Sequence, residues 1–374
     1  MIYLDNAATT APLESVLNIM DTINRDNFGN PSSLHLAGVE AEKAVEAARE
    51  QLASAIGAGR EEVYFGPSGT LCNNVAILGA AGAMRRRGNR VVISSIEHAC
   101  VRETAKSLVE QGFEVIEAEP TEQGFCEAIN DKTVLVSCML VNNETGMILP
   151  VKKHRQFITS AGAPALLHTD CVQALGKVEL SVKKLGCDLC TFSAHKLHGP
   201  KGVGALYVKK GTRLAPVIYG GGQEKGLFSA THNTPGIAGF GEAVRRMREE
   251  FDQRQQQFKS LESYFLSLAA EREYLEINRE SGDYAPHIVN VSFMGYVGEN
   301  VLHFLESEGV YVSVGAACSN NSGHGSILDK LHKGQKHTAG AIRVSFSHQS
   351  TKEEIDRFFE AADKAAAFLI KKYK

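Results

Sequence analysis

Between Glu61 and Lys209, short β-rich runs alternate with helical patterns, and this alternation limits the possible fold more than any other feature. The runs are "EEVYF", "RVVISS", "FEVIEA", "TVLVSCMLV", "ALLHT", "CDLCTFS" and "GVGALYV", with helical stretches such as "CVRETAKSLVEQG" between several of them. Strands separated by helices build a sheet whose faces the helices cover, so an α/β architecture with a mostly parallel sheet is predicted. Upstream, "LHLAGVEAEKAVEAAREQLASAIG" carries apolar residues at the three-to-four spacing of a helix. Beyond about Gly239 the character changes to a long polar helix ("EAVRRMREEFDQRQQQFKSLESYFLSLAAE"), a few strands and a terminal helix. The expected division is an N-terminal segment 1–14 packing with a small domain, a large domain 15–248, and a smaller α+β domain 249–374.

With 374 residues the chain can bury a large core. Its 40 basic and 43 acidic residues leave a net charge of -3, which disfavours nucleic acid or an anionic membrane as a direct partner. The dense basic run "MRRRGNR" lacks a second basic cluster or interleaved aromatics and reads as a solvated helix end. The first residues, "MIYLDNAATT", do not resemble a secretory leader, and no apolar run approaches the roughly 20 residues that span a bilayer. The eight cysteines are scattered, mostly in apolar runs, which suits reduced thiols and a cytoplasmic location.

Ligands of open α/β sheets collect beyond the carboxyl ends of the strands. After "EEVYF" comes "GPSGTLCNNVAIL", where the free N–H groups of a helix start, with the Ser68 and Thr70 hydroxyls, can cradle a phosphate; any strand-to-helix turn can also carry Gly and Ser. Glu97 and His98 follow "RVVISSI", the amides of "NNETG" follow "VSCMLV", and Asp170 ends the next run with Gln173 one helical turn on. Ser193 ends "CDLCTFS", and His195 and Lys196 follow it. Each alone also serves as a cap or loop residue. Together they supply what pyridoxal phosphate needs: a lysine amine for a Schiff base, a carboxylate to keep the pyridine nitrogen protonated, and a phosphate cradle. The C-x-x-C pair Cys187 and Cys190 offers a rival metal or redox reading. In "CDLCTFSA" a strand's period of two puts residues three apart on opposite faces, so Cys187 and Cys190 are expected to point away from each other and both to be core thiols.

The segments "YLDNAATT", "FGNPSSLHLAG", "EHACVRET", "NNETG", "HTDCVQALGK", "SAHKLHGPKGVGALY", "GGGQEKG" and "GAACS", in order from Tyr3 to about Arg343, resemble the cysteine desulfurases. These belong to the class V aminotransferase superfamily of fold type I pyridoxal phosphate enzymes. The resemblance implies a homodimer that converts L-cysteine to L-alanine and hands the sulfur, held as a persulfide, to an acceptor protein. By position, Lys196 matches the Schiff-base lysine, Asp170 the partner of the pyridine nitrogen, Gln173 the partner of the ring hydroxyl and His98 the imidazole stacked on the ring. Gly69, Thr70, Ser193 and His195 match phosphate contacts, and Thr231 one that reaches across from the other subunit. Arg343 with Asn143 matches the clamp on the substrate carboxylate, and Cys318, in a polar loop, the persulfide-forming cysteine.

The chain also departs from the family's pattern. Gly66, Pro67, Leu71 and Cys72 alter the phosphate turn, Phe228 stands where an arginine is usual and Ala230 where glycine is usual, and Asn320, Asn321 and His324 alter the cysteine loop. A selenocysteine lyase or another class V lyase or aminotransferase is the alternative within the cofactor class. A non-catalytic binding or scaffold protein on the same fold is the alternative outside it.

Overall fold

In the computed structural model, which describes residues 1–314, 327–331 and 333–373, the seven β-rich runs between Glu61 and Lys209 assemble into one sheet. In chain order the strands are β1 (Ile2–Tyr3), β2 (Val63–Gly66), β3 (Arg90–Ser94), β4 (Glu114–Ala118), β5 (Thr133–Ser137), β6 (Leu166–Asp170), β7 (Leu189–Ser193), β8 (Gly204–Val208), β9 (Leu275–Ile277), β10 (Ile288–Phe293), β11 (Val310–Tyr311) and β12 (Ala341–Ser345). The seven-stranded sheet has the order β2-β8-β7-β6-β5-β3-β4. The strands from β7 to β4 pair in parallel, whereas β8 runs antiparallel to both β7 and β2. The expected α/β class with a mostly parallel sheet is therefore what forms. Because β8 alone is reversed, β2, β3, β5, β6 and β7 all end at the same edge.

The chain divides into two compact units. The larger comprises Ala11–Leu140 and Leu149–Glu250 and holds this sheet. Strands β5, β7 and β8 are buried at every position, which explains why their runs read as continuously apolar rather than alternating. The helix Gly69–Met84 lays Cys72, Val75, Ala76 and Ala80 against Val91, Leu135 and Leu206 of the sheet. The predicted upstream helix spans Leu36–Ile56 and ends at Gly57, whose φ of 72° is the left-handed cap that glycine adopts without strain.

The smaller unit comprises Met1–Thr10, Val141–Ile148 and Phe251–Lys374. It contains the antiparallel sheet β12-β10-β9 and the parallel pair β1-β11. The helix Lys352–Phe368 opens with a reciprocal capping box between Thr351 and Glu354, and Phe265 packs against Phe359 at 4.8 Å between ring centroids. Two features differ from expectation. The long polar run is two helices, Thr234–Glu249 and Phe251–Ala270, separated by Glu250 at φ −109°, ψ 9°. The Val141–Ile148 segment also groups with the smaller unit, tied there by Ala285 N–H to Gly146 O (2.8 Å) and Asn290 Nδ2 to Glu144 O (3.1 Å). No helix among the described residues is long and apolar enough to cross a membrane.

Candidate active site

The carboxyl edge of the large sheet is where the polar residues gather. Strand β2 leads through Pro67 to Ser68, whose Oγ accepts from Leu71 N–H (3.2 Å) and starts the helix Gly69–Met84. Gly69 lies against its neighbours closely enough that a Cβ there would meet Ser193 Cβ and Val172 Cγ2 at 3.2 Å each. Gly204, paired with Ser193, would place a Cβ 2.7 Å from Gly69 N. The helix start, the end of β7 and the residue after β6 therefore meet with glycine where a side chain would block approach. This leaves the first-turn N–H groups beside the Ser193 hydroxyl, a fitting environment for a phosphate.

Asp170 ends β6 and is 5% exposed. Its Oδ1 accepts from Val172 N–H (2.9 Å) and its Oδ2 from Asn73 Nδ2 (2.7 Å). Three residues on, buried Gln173 accepts from Lys177 Nζ through Oε1 (3.0 Å). His98 caps the helix Ala99–Ser107, its Nδ1 accepting from Cys100 N–H (3.2 Å). Lys196 closes the short turn after β7.

The electrostatics tie these groups together. His98 is exposed at the site's edge, yet the protein packed around its ring holds it below its usual value; Asp170 opposes this, and the charges of Lys196 and Arg102 add to it. His195 is pushed down to about 4, first by burial and then by Lys196, Lys201 and Lys177. Both imidazoles are thus neutral at pH 7. Glu97, 1% exposed, is pushed up to about 8 by burial and by Asp170, so it is mostly protonated there. Gly69, Thr70, His98, Asp170, Gln173, Ser193, His195 and Lys196 all belong to this unit.

Thr231 is exposed, in a shallow cleft with Pro67, Gly202, Phe228 and Ala230. Nearby, Glu224 binds Arg49 through two bonds (2.8 and 2.9 Å), His232 Nε2 (2.7 Å) and Phe65 N–H (2.9 Å). Burial raises the Glu224 pKa, but the bonds from Arg49 and His232 outweigh it and bring it to about 2. The network pins a turn in which Glu224 (φ 51°) and Lys225 (φ 53°) adopt left-handed conformations. Three departures from the family pattern prove to be one packing unit. A Cβ on Gly66 would lie 2.8 Å from both Cys72 Sγ and Phe228 Cε1, and Phe228 is 4% exposed.

In the smaller unit, Arg343 lies on β12 and is 7% exposed. Its Nη2 donates to Asp5 Oδ1 (2.7 Å) and its Nη1 to Asn143 O (2.9 Å). Arg343 Nε and Asn143 Oδ1 are buried without partners among the described residues. The expected pair is therefore adjacent and retains unsatisfied polar atoms that a carboxylate and its ammonium group could engage. Cys318, Asn320, Asn321 and His324 lie outside the described residues.

The C-x-x-C expectation needs correction in its geometry. Cys187 precedes β7, so the strand period does not govern it, and its thiol is drawn down chiefly by a hydrogen bond from Cys190. Both thiols are buried, and no cluster of three or more metal-ligating side chains occurs among the described residues. Sequence reading also passed over Asn73, Cys100 and Lys177. Asn73 stands three residues after Thr70 on the helix Gly69–Met84, the spacing that puts two side chains on one helix face, whereas Lys177 reaches Gln173 within a turn that forms no helix.

Comparison with known proteins adds a separate line of evidence. The sequence profile of the aminotransferase class-V family matches residues 2–358. Cysteine desulfurase IscS of Clostridium botulinum is 36% identical over 373 residues, covering 97% of this chain and 94% of that protein. Cysteine desulfurase IscS of Dictyoglomus turgidum is 37% identical over 363 residues, covering 95% and 92%. A solved NifS-like protein matches with a TM-score of 0.92 at 34% identity, over 98% of this chain and all 100% of its own. DndA from Streptomyces lividans matches with a TM-score of 0.78 at 34% identity, over 92% and 99%.

Proposed function

This chain belongs to the aminotransferase class-V family, within its cysteine desulfurases, and on that premise we propose that it is a pyridoxal phosphate-dependent cysteine desulfurase. It converts L-cysteine to L-alanine and leaves the sulfur as a persulfide on Cys318 for an acceptor protein. The observation that carries this reading is the convergence at one sheet edge of Asp170, Lys196, His98, Ser193 and the Gly69–Thr70 helix start. That donor set fits the cofactor. Asp170 is a buried carboxylate with a fixed orientation, and the contacts at Gly69 and Gly204 leave backbone N–H groups open to a phosphate.

When bound, pyridoxal phosphate supplies an electron sink conjugated to the substrate's amino group. In this reading Asp170 would hold a proton at the pyridine nitrogen, Gln173 would bond the ring hydroxyl, and Gly69, Thr70, Ser193 and His195 would bind the phosphate. Lys196 Nζ would hold the cofactor and would be the base placed to take the α-proton of cysteine. His98, neutral at its position, would lie against the cofactor ring and pass protons. Arg343, with Asn143, binds the substrate carboxylate through its planar fork, which sets the α-carbon's orientation. The Cys318 thiolate attacks the substrate sulfur: the new S–S bond forms as the Cβ–S bond breaks. The electron pair stays on carbon, and a proton completes the methyl group of alanine.

The same reading includes a homodimer in which Thr231 reaches the partner's phosphate. Phe28, Leu34 and Leu36, which are 78%, 100% and 75% exposed, support self-association. A cytoplasmic location is supported by the seven described cysteines, all free thiols. The test is a pair of measurements on the purified protein. Borohydride should bleach its visible absorbance and leave the label on Lys196, and Cys318→Ala should keep that absorbance while releasing no sulfide from L-cysteine. A label elsewhere removes the role of Lys196, and sulfide at the wild-type rate removes that of Cys318.

A further inference from the structure

Asn73 has no part in the roles above, yet it is 1% exposed and sits against the site's carboxylate. Its Nδ2 lies 2.7 Å from Asp170 Oδ2 and 3.1 Å from Cys100 Sγ. Cys100 Sγ in turn lies 3.0 Å from His98 Nδ1. Since a carboxylate only accepts, the Asn73 amide must face it with nitrogen, and its two N–H groups then serve the carboxylate and the sulfur. Its Oδ1 is buried without a partner among the described residues, so the nitrogen side alone fixes the orientation.

The proton positions on His98 follow from one further bond. The backbone N–H of Cys100 points at Nδ1 (3.2 Å), and a backbone N–H can only donate. Nδ1 is therefore an acceptor without a proton, and the bond between it and the thiol must run from S–H to nitrogen. The neutral imidazole then carries its proton on Nε2. The thiol is suited to remain the donor, because burial, Asp170 and Glu97 push it up to about 12 against hydrogen bonds from Asn73 and Thr70.

We propose that Asn73 and Cys100 are positioning residues that link Asp170 to His98 in one hydrogen-bonded chain and fix His98 as its Nε2–H tautomer. The chain joins three elements: the end of β6, the helix Gly69–Met84 and the helix Ala99–Ser107. It presents the Nε2–H of His98 as the only ring proton to pass. For the desulfurase reaction, on which this functional consequence rests, it sets which atom of His98 gives up a proton first. The charged groups acting on His98 are Asp170, Lys196 and Arg102, none of which is altered by replacing Cys100.

The test is nitrogen NMR of histidine-labelled, full-length holoenzyme, with His98→Gln used to assign the His98 signals. The wild type should show Nε2 protonated and Nδ1 bare. Cys100→Ala removes a donor to the neutral ring, so the His98 pKa should rise by about half to one unit. Asn73→Ala should move the same signals, and Cys100→Ser should restore them. Turnover should change as well: kcat should fall on the acid side of the pH profile while KM for L-cysteine stays constant. A wild-type ring protonated at Nδ1, or His98 signals indifferent to Cys100→Ala in a folded protein, overturns the proposal. The NMR result does not require turnover. A correct tautomer in a protein that makes no alanine would therefore refute the desulfurase reading and leave the hydrogen-bonded chain standing.

Discussion

Gly66, Cys72 and Phe228 form a contact that can be tested by adding one carbon atom. In Gly66→Ala the new Cβ would fall 2.8 Å from Cys72 Sγ, 2.8 Å from Phe228 Cε1 and 3.0 Å from Phe228 Cζ. Ordinary carbon contacts lie at about 3.5–4.0 Å, so the overlap is roughly 0.5–1 Å on two sides. Neither neighbour can swing into solvent, because Cys72 is 0% and Phe228 4% exposed. Overpacking of this kind costs about 1–3 kcal/mol. In a unit of this size that lowers Tm by roughly 2–4 °C per kcal/mol. Phe228→Leu withdraws the ring atoms that clash and alone leaves a gap costing about 1–3 kcal/mol. Combined, the two changes should restore part of what each loses, with a coupling of about 1–2 kcal/mol in urea unfolding. If Gly66→Ala is as stable as the wild type, or if the two effects add within about 0.3 kcal/mol, the three residues do not form the packing unit described.

Three further expectations follow from other parts of the molecule. Arg49→Met strands the buried Glu224 carboxylate and should cost about 3–5 kcal/mol by thermal unfolding, while Arg49→Met with Glu224→Leu should recover most of it. His154 is fully buried, stacked on Phe125 at 3.9 Å with neither nitrogen bonded, and burial holds it down to about 4. The unfolded chain therefore binds its proton first; the stability is complete above about pH 6.5 and is lost as pH falls toward 4. About 2 kcal/mol should be gone by pH 5, and this acid loss should be smaller by that amount in His154→Leu when urea midpoints at two pH values are compared. Arg343→Lys keeps the charge but loses the fork and the bond to Asn143 O. Steady-state kinetics should show KM for L-cysteine rising roughly tenfold or more, with a smaller effect on kcat.

The sheet was legible because its central strands are buried on both faces and leave uninterrupted apolar runs between helical patterns. The positions of Asp170, His98 and Lys196 were legible for the same reason, since Asp170 ends such a run and His98 and Lys196 lie within the few residues after one. What was not legible depended on contacts distant in sequence. Val141–Ile148 follows a core strand without a change of composition, and only the bonds its Gly146 and Glu144 carbonyls accept from Ala285 and Asn290 show which unit it joins. Gly66 and Phe228 each look like isolated departures, although 162 positions apart they touch the same space. The long polar run carries no proline or glycine at Glu250 to signal where one helix stops and the next begins. Cys187 was misplaced because β7 starts two residues after it, and a strand period applied outside the strand gives the wrong face.

The central claim is the chemistry on L-cysteine, and product analysis tests it most directly. With L-cysteine and a thiol reductant, the pyridoxal phosphate-loaded protein should yield one alanine and one sulfide per cysteine consumed. Pyruvate and ammonia in place of alanine, or no consumption of cysteine, would contradict the account.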